Sequence, residues 1–150
     1  MVRSLPEKIH EDCYVTKRTY RKTVDRLRYR DYKKVADHFY EAAIIAMEYY
    51  YWTAAGVLIV HSAIAYADAI AIKLSGQKSS GENHEDSVAL VDENVADGEK
   101  KKSAINQLRR IITEKTKVSY AGDLYGEPLI RDLRKRLERF RSWALRILER

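Results

Sequence analysis

The chain has 150 residues, the size of one ordinary domain, and it is 45% hydrophobic and 33% charged. This composition is too apolar for a disordered chain, and the scarcity of glycine (6) and proline (2) argues against a β-sandwich or barrel, which needs many tight turns. A single cysteine, Cys13, excludes an intramolecular disulfide and any Cys-x-x-Cys motif. Because the first six residues contain no apolar stretch, the sequence predicts no secretory signal and a cytoplasmic protein.

The net charge of +6 is distributed unevenly along the chain. Basic residues dominate 17–34 and 127–150, whereas 82–99 contains acidic residues and no lysine or arginine. A basic segment can bind nucleic acid by neutralising phosphates. It can equally be a solvated helix face or pair with an acidic segment of a second copy, and the charge pattern alone leaves these alternatives open.

The hydrophobic pattern predicts an N-terminal arm over residues 1–30, followed by five helices. In the arm, Ser4 and Glu7 have the spacing of a helix-capping box. Apolar residues at helical spacing predict helices over 31–51, 53–74, 84–97, 103–120 and from 128 towards the C-terminus. We expect Gly76 and Gly98 to end the second and third helices, and Asn83 and Ser103 to cap the third and fourth. No segment shows the alternation of a strand.

Two helices have clear core faces. The expected core residues of the first helix are Val35, Phe39, Ala42, Ala43, Ala46, Met47 and Tyr50. Those of the last helix are Ile130, Leu133, Leu137, Phe140, Ala144 and Ile147. The second helix is small or apolar almost throughout but contains His61 and Asp68, and a charge near the middle of a membrane is costly. It is therefore predicted to be the central helix of a soluble all-α, antiparallel up-and-down bundle over residues 31–150, not a membrane span.

The histidines and the fourth helix are the candidates for chemistry. His38 and Glu41 share a helix face, but a di-iron bundle needs two Glu-x-x-His units, so we predict no metal or other cofactor. The fourth helix carries a polar stripe, which we expect to grip a phosphate, line a dimer groove or form an ordinary solvated face. The stripe consists of Asn106, Arg110, Thr113, Lys117 and Tyr120.

Asp68 lies in the most apolar helix, where an isolated carboxylate is too costly to remain ionised. Lys115 lies on the apolar stripe of the fourth helix, an unfavourable place for an unpaired ammonium. We therefore predict a contact between Asp68 and Lys115, direct or through one water. The alternative is a hydrogen bond from Asp68 to Tyr120 or to a loop amide.

Four segments together resemble the HEPN superfamily, over about residues 31–148. They are 50–55 (YYWTAA), 61–70 (HSAIAYADAI), 76–84 (the GQKSSGENH loop) and 115–120 (KTKVSY). HEPN domains are antiparallel helical bundles, usually dimeric, and many act beside nucleotidyltransferases in toxin–antitoxin or defence systems. Active members are metal-independent endoribonucleases with an Arg-x(4–6)-His motif late in the bundle. The chain departs from that motif, since Lys115 and Tyr120 stand at the equivalent place and no histidine follows His84.

The resemblance therefore implies a non-catalytic homodimeric module that binds a nucleotide, RNA or a partner nucleotidyltransferase, with no catalytic residues. The last two long helices and the polar stripe are the expected dimer interface. The candidate binding residues are Arg110, Lys115, Lys117 and Tyr120 for phosphate contacts and stacking, with Asp68 and His84 supporting the pocket. The alternative function is a divergent metal-independent endoribonuclease toxin in which Lys115 or Tyr120 replaces the missing histidine.

Overall fold

The computed structural model describes residues 21–81, 84–115 and 125–150. A short strand, β1 (Arg21–Thr23), and a 3-10 turn (Arg26–Arg28) precede the helices α1 (Tyr29–Glu48) and α2 (Trp52–Ser75). The strand β2 (Gln77–Ser79) follows, and then α3 (Glu85–Asn94), α4 (Glu99–Thr113) and α5 (Glu127–Leu148). The predicted all-α bundle of five helices with a central apolar helix is confirmed.

The central position of α2 follows from its composition. Its alanines let neighbouring helices approach closely, and each of the other four helices packs against it. By length and composition α2 could cross a membrane, but 83% of its most apolar stretch is buried inside the protein. The helix ends as predicted at Gly76, whose left-handed φ of 67° favours glycine because it has no Cβ.

A lysine near the end of α2 joins it to the end of α5. The Lys73 ammonium donates hydrogen bonds to the carbonyl oxygens of Ile147 (2.7 Å) and Leu148 (3.2 Å), and it lies 5.0 Å from the centre of the Tyr29 ring. Carbonyl groups in the last turn of a helix have no partners within the helix and carry partial negative charge. Lys73 thus satisfies the C-terminus of α5 and fixes it beside α2.

The two strands correct the prediction that the chain has none. β1 and β2 pair antiparallel, with Arg21 opposite Ser79 and Thr23 opposite Gln77, and β2 occupies part of the segment predicted to be a loop. A backbone hydrogen bond from Val24 to Gly76 (2.8 Å) extends the pairing towards α2. Strands of three residues are too short to show alternation, and their pairing joins segments more than fifty residues apart in the chain.

Several helix boundaries also differ from the prediction. α3 ends at Asn94, and Gly98 precedes α4 instead of ending α3. α4 begins at Glu99, so Ser103 is not its cap. The cause is Lys101, a buried cation in the first turn of α4 that donates to the carbonyl oxygens of Asp92 (2.7 Å) and Val95 (3.0 Å) in the preceding connection. The predicted Ser4 start and Asn83 cap, and the predicted end of the fourth helix, lie outside the described residues.

The core faces are confirmed for α5 and only in part for α1. All six predicted core residues of α5 are buried. In α1, Ala43 and Met47 are buried, but Val35 is 46% exposed, and Tyr50, which is 74% exposed, lies beyond the end of the helix at Glu48. The buried stripe runs through Ala36 instead of Val35, one position away, because the small alanine allows α1 to lie close to α2.

Candidate functional site

The predicted site residues lie in different parts of the described structure. Asp68 is on α2, His84 immediately precedes α3, and Lys115 follows α4. Arg110 is exposed on α4, as are the stripe residues Asn106 and Thr113. Lys117 and Tyr120 lie outside the described residues. Of the candidates, the structure brings His84 and Lys115 into direct contact.

The predicted direct contact between Asp68 and Lys115 is wrong, because each of the two residues has a different partner. Asp68 accepts a hydrogen bond from the Ser87 hydroxyl (3.3 Å), and its Oδ2 lies 3.9 Å from the Lys78 ammonium. The Lys115 ammonium instead contacts Nε2 of His84 at 2.8 Å. The unpredicted strand β2 places Lys78 beside α2, so the cation nearest Asp68 comes from a strand.

Burial dominates the acidity of Asp68. It raises the pKa of this carboxyl to about 6, although Lys78, the Ser87 hydroxyl and Lys22 act in the opposite direction. The Lys78 ammonium at 3.9 Å is therefore too distant to offset the loss of water around the carboxylate. Asp68 is largely ionised at pH 7 and becomes protonated in mild acid.

His84 is a neutral imidazole that accepts a hydrogen bond. Burial, and after it the charges of Lys115 and other neighbours, lowers the pKa of His84 to about 4. An ammonium has no acceptor atom, so the contact at 2.8 Å requires Lys115 to donate and Nε2 to accept. The ring proton is consequently on Nδ1, which leaves that nitrogen as a donor.

His61 is a site residue that the sequence did not single out for binding. It is half-buried on α2, its ring lies 5.7 Å from that of Phe39, and burial followed by the charge of Lys115 lowers its pKa. We refer to His61, Asp68, Lys78, His84 and Lys115 as the Lys115 cluster. Its members lie within one electrostatic neighbourhood, since Lys115 acts on both histidines and Lys78 acts on both Asp68 and His84.

The Lys115 cluster has an excess of positive charge. Two ammonium groups and one carboxylate lie beside two neutral imidazoles, and Lys22 adds positive charge near Asp68. Such an arrangement offers N–H donors and charge to an anion. The sequence signal for Lys78 was absent because residues 75–83 were predicted to be a loop, and loop residues have no predictable neighbours.

A second polar network lies on the other side of α2. The Tyr66 hydroxyl donates to Asp37 and accepts from Arg141 Nε (2.9 Å), while Lys33 pairs with Asp37 (2.9 Å). The Arg141 guanidinium also lies 4.2 Å from the centre of the Tyr40 ring. We refer to Lys33, Asp37, Tyr40, Tyr66 and Arg141 as the Tyr66 network. It joins α1, α2 and α5, and nothing in the sequence pattern indicated it.

No group of three or more histidine, cysteine, aspartate or glutamate side chains in residues 21–81, 84–115 and 125–150 is placed to hold a metal ion.

Comparisons of the chain with protein-family models, with curated proteins and with solved structures found no match.

Proposed function

We propose that the chain is a non-catalytic, HEPN-like binding module that holds a phosphate group of a nucleotide or RNA at the Lys115 cluster. The observation that carries this proposal is the contact between the Lys115 ammonium and the neutral His84 ring. A phosphate oxygen carries negative charge and adds a Coulombic attraction to the Lys115 ammonium that a neutral imidazole does not offer. A phosphate oxygen would therefore replace the imidazole as the acceptor for Lys115.

The other groups of the cluster fit the same ligand. Lys78 supplies a second ammonium, and Nδ1 of His84 supplies a ring donor. Binding an anion would also offset the positive charges that act on His84 and raise its low pKa. Arg110 is exposed on α4 and would contact a longer RNA strand outside the cluster. Lys117 and Tyr120 are the residues that the sequence predicts would extend this contact.

Binding of a labelled single-stranded oligoribonucleotide, and separately of ATP, tests this proposal. We expect the double substitution Lys78→Met, Lys115→Met to weaken binding roughly tenfold or more and to reduce its salt dependence. The matched control is Lys34→Met, Lys102→Met, which removes two charges from exposed positions on α1 and α4. Equal affinities in the cluster variant, the control and the wild type would contradict the proposal.

We further propose that the module is a cytoplasmic homodimer, with a nucleotidyltransferase as the protein partner that the resemblance implies. The exposed polar stripe supports a role for α4 in the interface, because Asn106, Arg110 and Thr113 are accessible to a second copy. Sedimentation analysis at micromolar concentration is expected to give a dimer. A monomer under these conditions would remove the homodimer from the proposal.

A second candidate function, a metal-independent endoribonuclease, is favoured by one observation. His61 and His84 both lie near Lys115, so two imidazoles are present although the expected motif position has none. Both rings have lowered pKa values and are therefore in the unprotonated form that a general base requires at neutral pH. Cleavage of RNA in the presence of a chelator, lost in both His61→Asn and His84→Asn, would replace the non-catalytic proposal with this one.

A further inference from the structure

A groove of about 320 Å³ between α4 and α5 has the composition of a second ligand site. Three cations line it, Lys100 from α4 and Arg139 and Arg146 from α5, together with the indole of Trp143. Ser103, Gln107 and Ser142 add hydroxyl and amide groups, and no carboxylate is among the lining residues. The groove therefore combines positive charge, polar donors and one flat aromatic surface.

The basic residues of α5 differ between its two halves. In the first half, Arg131 pairs with Glu127 and Arg136 pairs with Asp132, each four residues away. Arg139 has Lys135 and Trp143 at the positions four residues before and after it, and Arg146 has Ser142 and Arg150. Neither groove arginine therefore has a carboxylate four residues before or after it, and both arginines are exposed.

Trp143 is held in place by the core. Its ring lies 6.0 Å from that of Phe140, which is fully buried, and Trp143 itself is half-buried. An indole that is fixed on one side and lines a groove on the other offers a preorganised surface for stacking, which is favourable for any nucleobase.

We propose that this groove binds a nucleotide, either free or as part of a single-stranded RNA, with the base against Trp143 and the phosphate held by Lys100, Arg139 and Arg146. Arginine suits this role because its planar guanidinium binds phosphate in a bidentate manner. The groove shares no residue with the Lys115 cluster, since its α4 residues are Lys100, Ser103 and Gln107, whereas Lys115 follows the end of α4 at Thr113. The inference therefore does not rest on the proposed function.

The test uses the fluorescence of Trp143. The chain has two tryptophans, so Trp52→Phe leaves Trp143 as the only indole reporter. We expect saturable quenching when this variant is titrated with AMP or with a short oligoadenylate. Saturation by AMP identifies a free nucleotide as sufficient, whereas quenching by the oligoadenylate alone assigns the groove to an RNA strand.

Charge variants decide whether the groove cations hold the ligand. Arg139→Gln with Arg146→Gln should raise the ligand concentration needed for half-maximal quenching roughly tenfold or more. The control, Arg131→Gln with Lys135→Gln, removes two charges from α5 outside the groove and should bind as before. Lys115→Met should also leave the quenching unchanged, and it separates this site from the proposed one.

Three outcomes would overturn the inference. They are an absence of quenching by both ligands, an equal loss in the groove variant and its control, and displacement of oligoadenylate by polyglutamate at equal charge concentration. The last would show that the groove attracts negative charge without recognising a nucleotide.

Discussion

Tyr66 and Asp68 are two residues apart on α2 and point to nearly opposite sides of the helix, and the networks they belong to differ in how their charges are paired. Each network contains two cations and one carboxylate. In the Tyr66 network, Asp37 lies between Lys33 and Arg141, and the Tyr66 hydroxyl both donates and accepts. In the Lys115 cluster, the Lys78 ammonium lies 3.9 Å from Asp68, whereas the Lys115 ammonium contacts the neutral His84 ring instead of the carboxylate. The first arrangement is typical of a structural network, and the second leaves one cation of the cluster facing a neutral acceptor.

The sharpest test of this difference is to replace the aspartate of each network by asparagine. Burial raises the pKa of Asp68 to about 6 from a usual value of 3.8, so its ionisation opposes folding by up to about 3 kcal/mol above pH 6. Asp68→Asn should therefore be more stable than the wild type at pH 8 by up to this amount. The gain should nearly vanish at about pH 3, where the carboxyl is largely protonated in both the folded and unfolded states. Urea unfolding at the two pH values measures it.

Asp37→Asn is the matched comparison and should have the opposite sign. Hydrogen bonds from Tyr66 and Lys33 hold the pKa of Asp37 below its usual value despite the opposing effect of burial. Its ionisation therefore stabilises the fold above the pKa of the unfolded chain, and this stability is lost as the pH falls. A stabilising Asp37→Asn, or a destabilising Asp68→Asn at pH 8, would remove the contrast between the networks.

Tyr66→Phe tests whether the Tyr66 network is structural. Tyr66 is fully buried, and its hydroxyl bonds two charged groups. Removing the hydroxyl should lower the free energy of unfolding at pH 7 by about 2 kcal/mol. Ligand binding at the Lys115 cluster should be unaffected, and a variant with wild-type stability but altered binding would reverse the assignment.

His84 and Asp68 should partly cancel in the pH dependence of the stability of the wild type. The folded-state pKa of His84 is about 4, below the usual 6.5, so its contribution to stability is complete above pH 6.5 and is lost as the pH falls towards 4. After discounting for its half exposure, we expect about 1–2 kcal/mol. Asp68 acts in the opposite direction over the same range. Asp68→Asn should therefore lose stability in mild acid more steeply than the wild type, and a parallel pH profile would contradict the opposing pair.

The smallest expected effect is that of Ser87→Ala. The Ser87 hydroxyl donates a hydrogen bond to the Asp68 carboxylate that is long, at 3.3 Å. Its loss should cost about 0.5–1 kcal/mol at pH 8 and should raise the pKa of Asp68 further. The change in pKa can be followed by carboxyl NMR. A drop in the pKa would show that the hydroxyl does not stabilise the ionised form.

The bundle could be predicted from sequence because the spacing of apolar residues in α5 indicates which face is buried, and the nearly unbroken apolar run of α2 indicates a helix enclosed by its neighbours. The same reasoning recognised that Asp68 needs a partner, but it drew the candidate cations only from the fourth helix and so chose Lys115 over Lys78. Three-residue strands carry no periodic signal, and therefore the partner on β2 could not be found. His84 and Lys115 were both selected, yet their contact joins two segment ends whose approach depends on the packing of α3 and α4 against α2.

The enclosure of α2 by four helices also has a consequence for how the protein opens. Fifteen of its 24 residues are buried, so no part of this helix can separate from the bundle without exposing apolar surface on its neighbours. We expect its central backbone amides to exchange their hydrogens with solvent only when the whole domain unfolds, whereas the amides of α3 exchange through smaller openings. The same enclosure means that α2 is an aggregation-prone segment until α5 has been synthesised, because α2 packs against α5 and its apolar surface is incompletely covered without that helix.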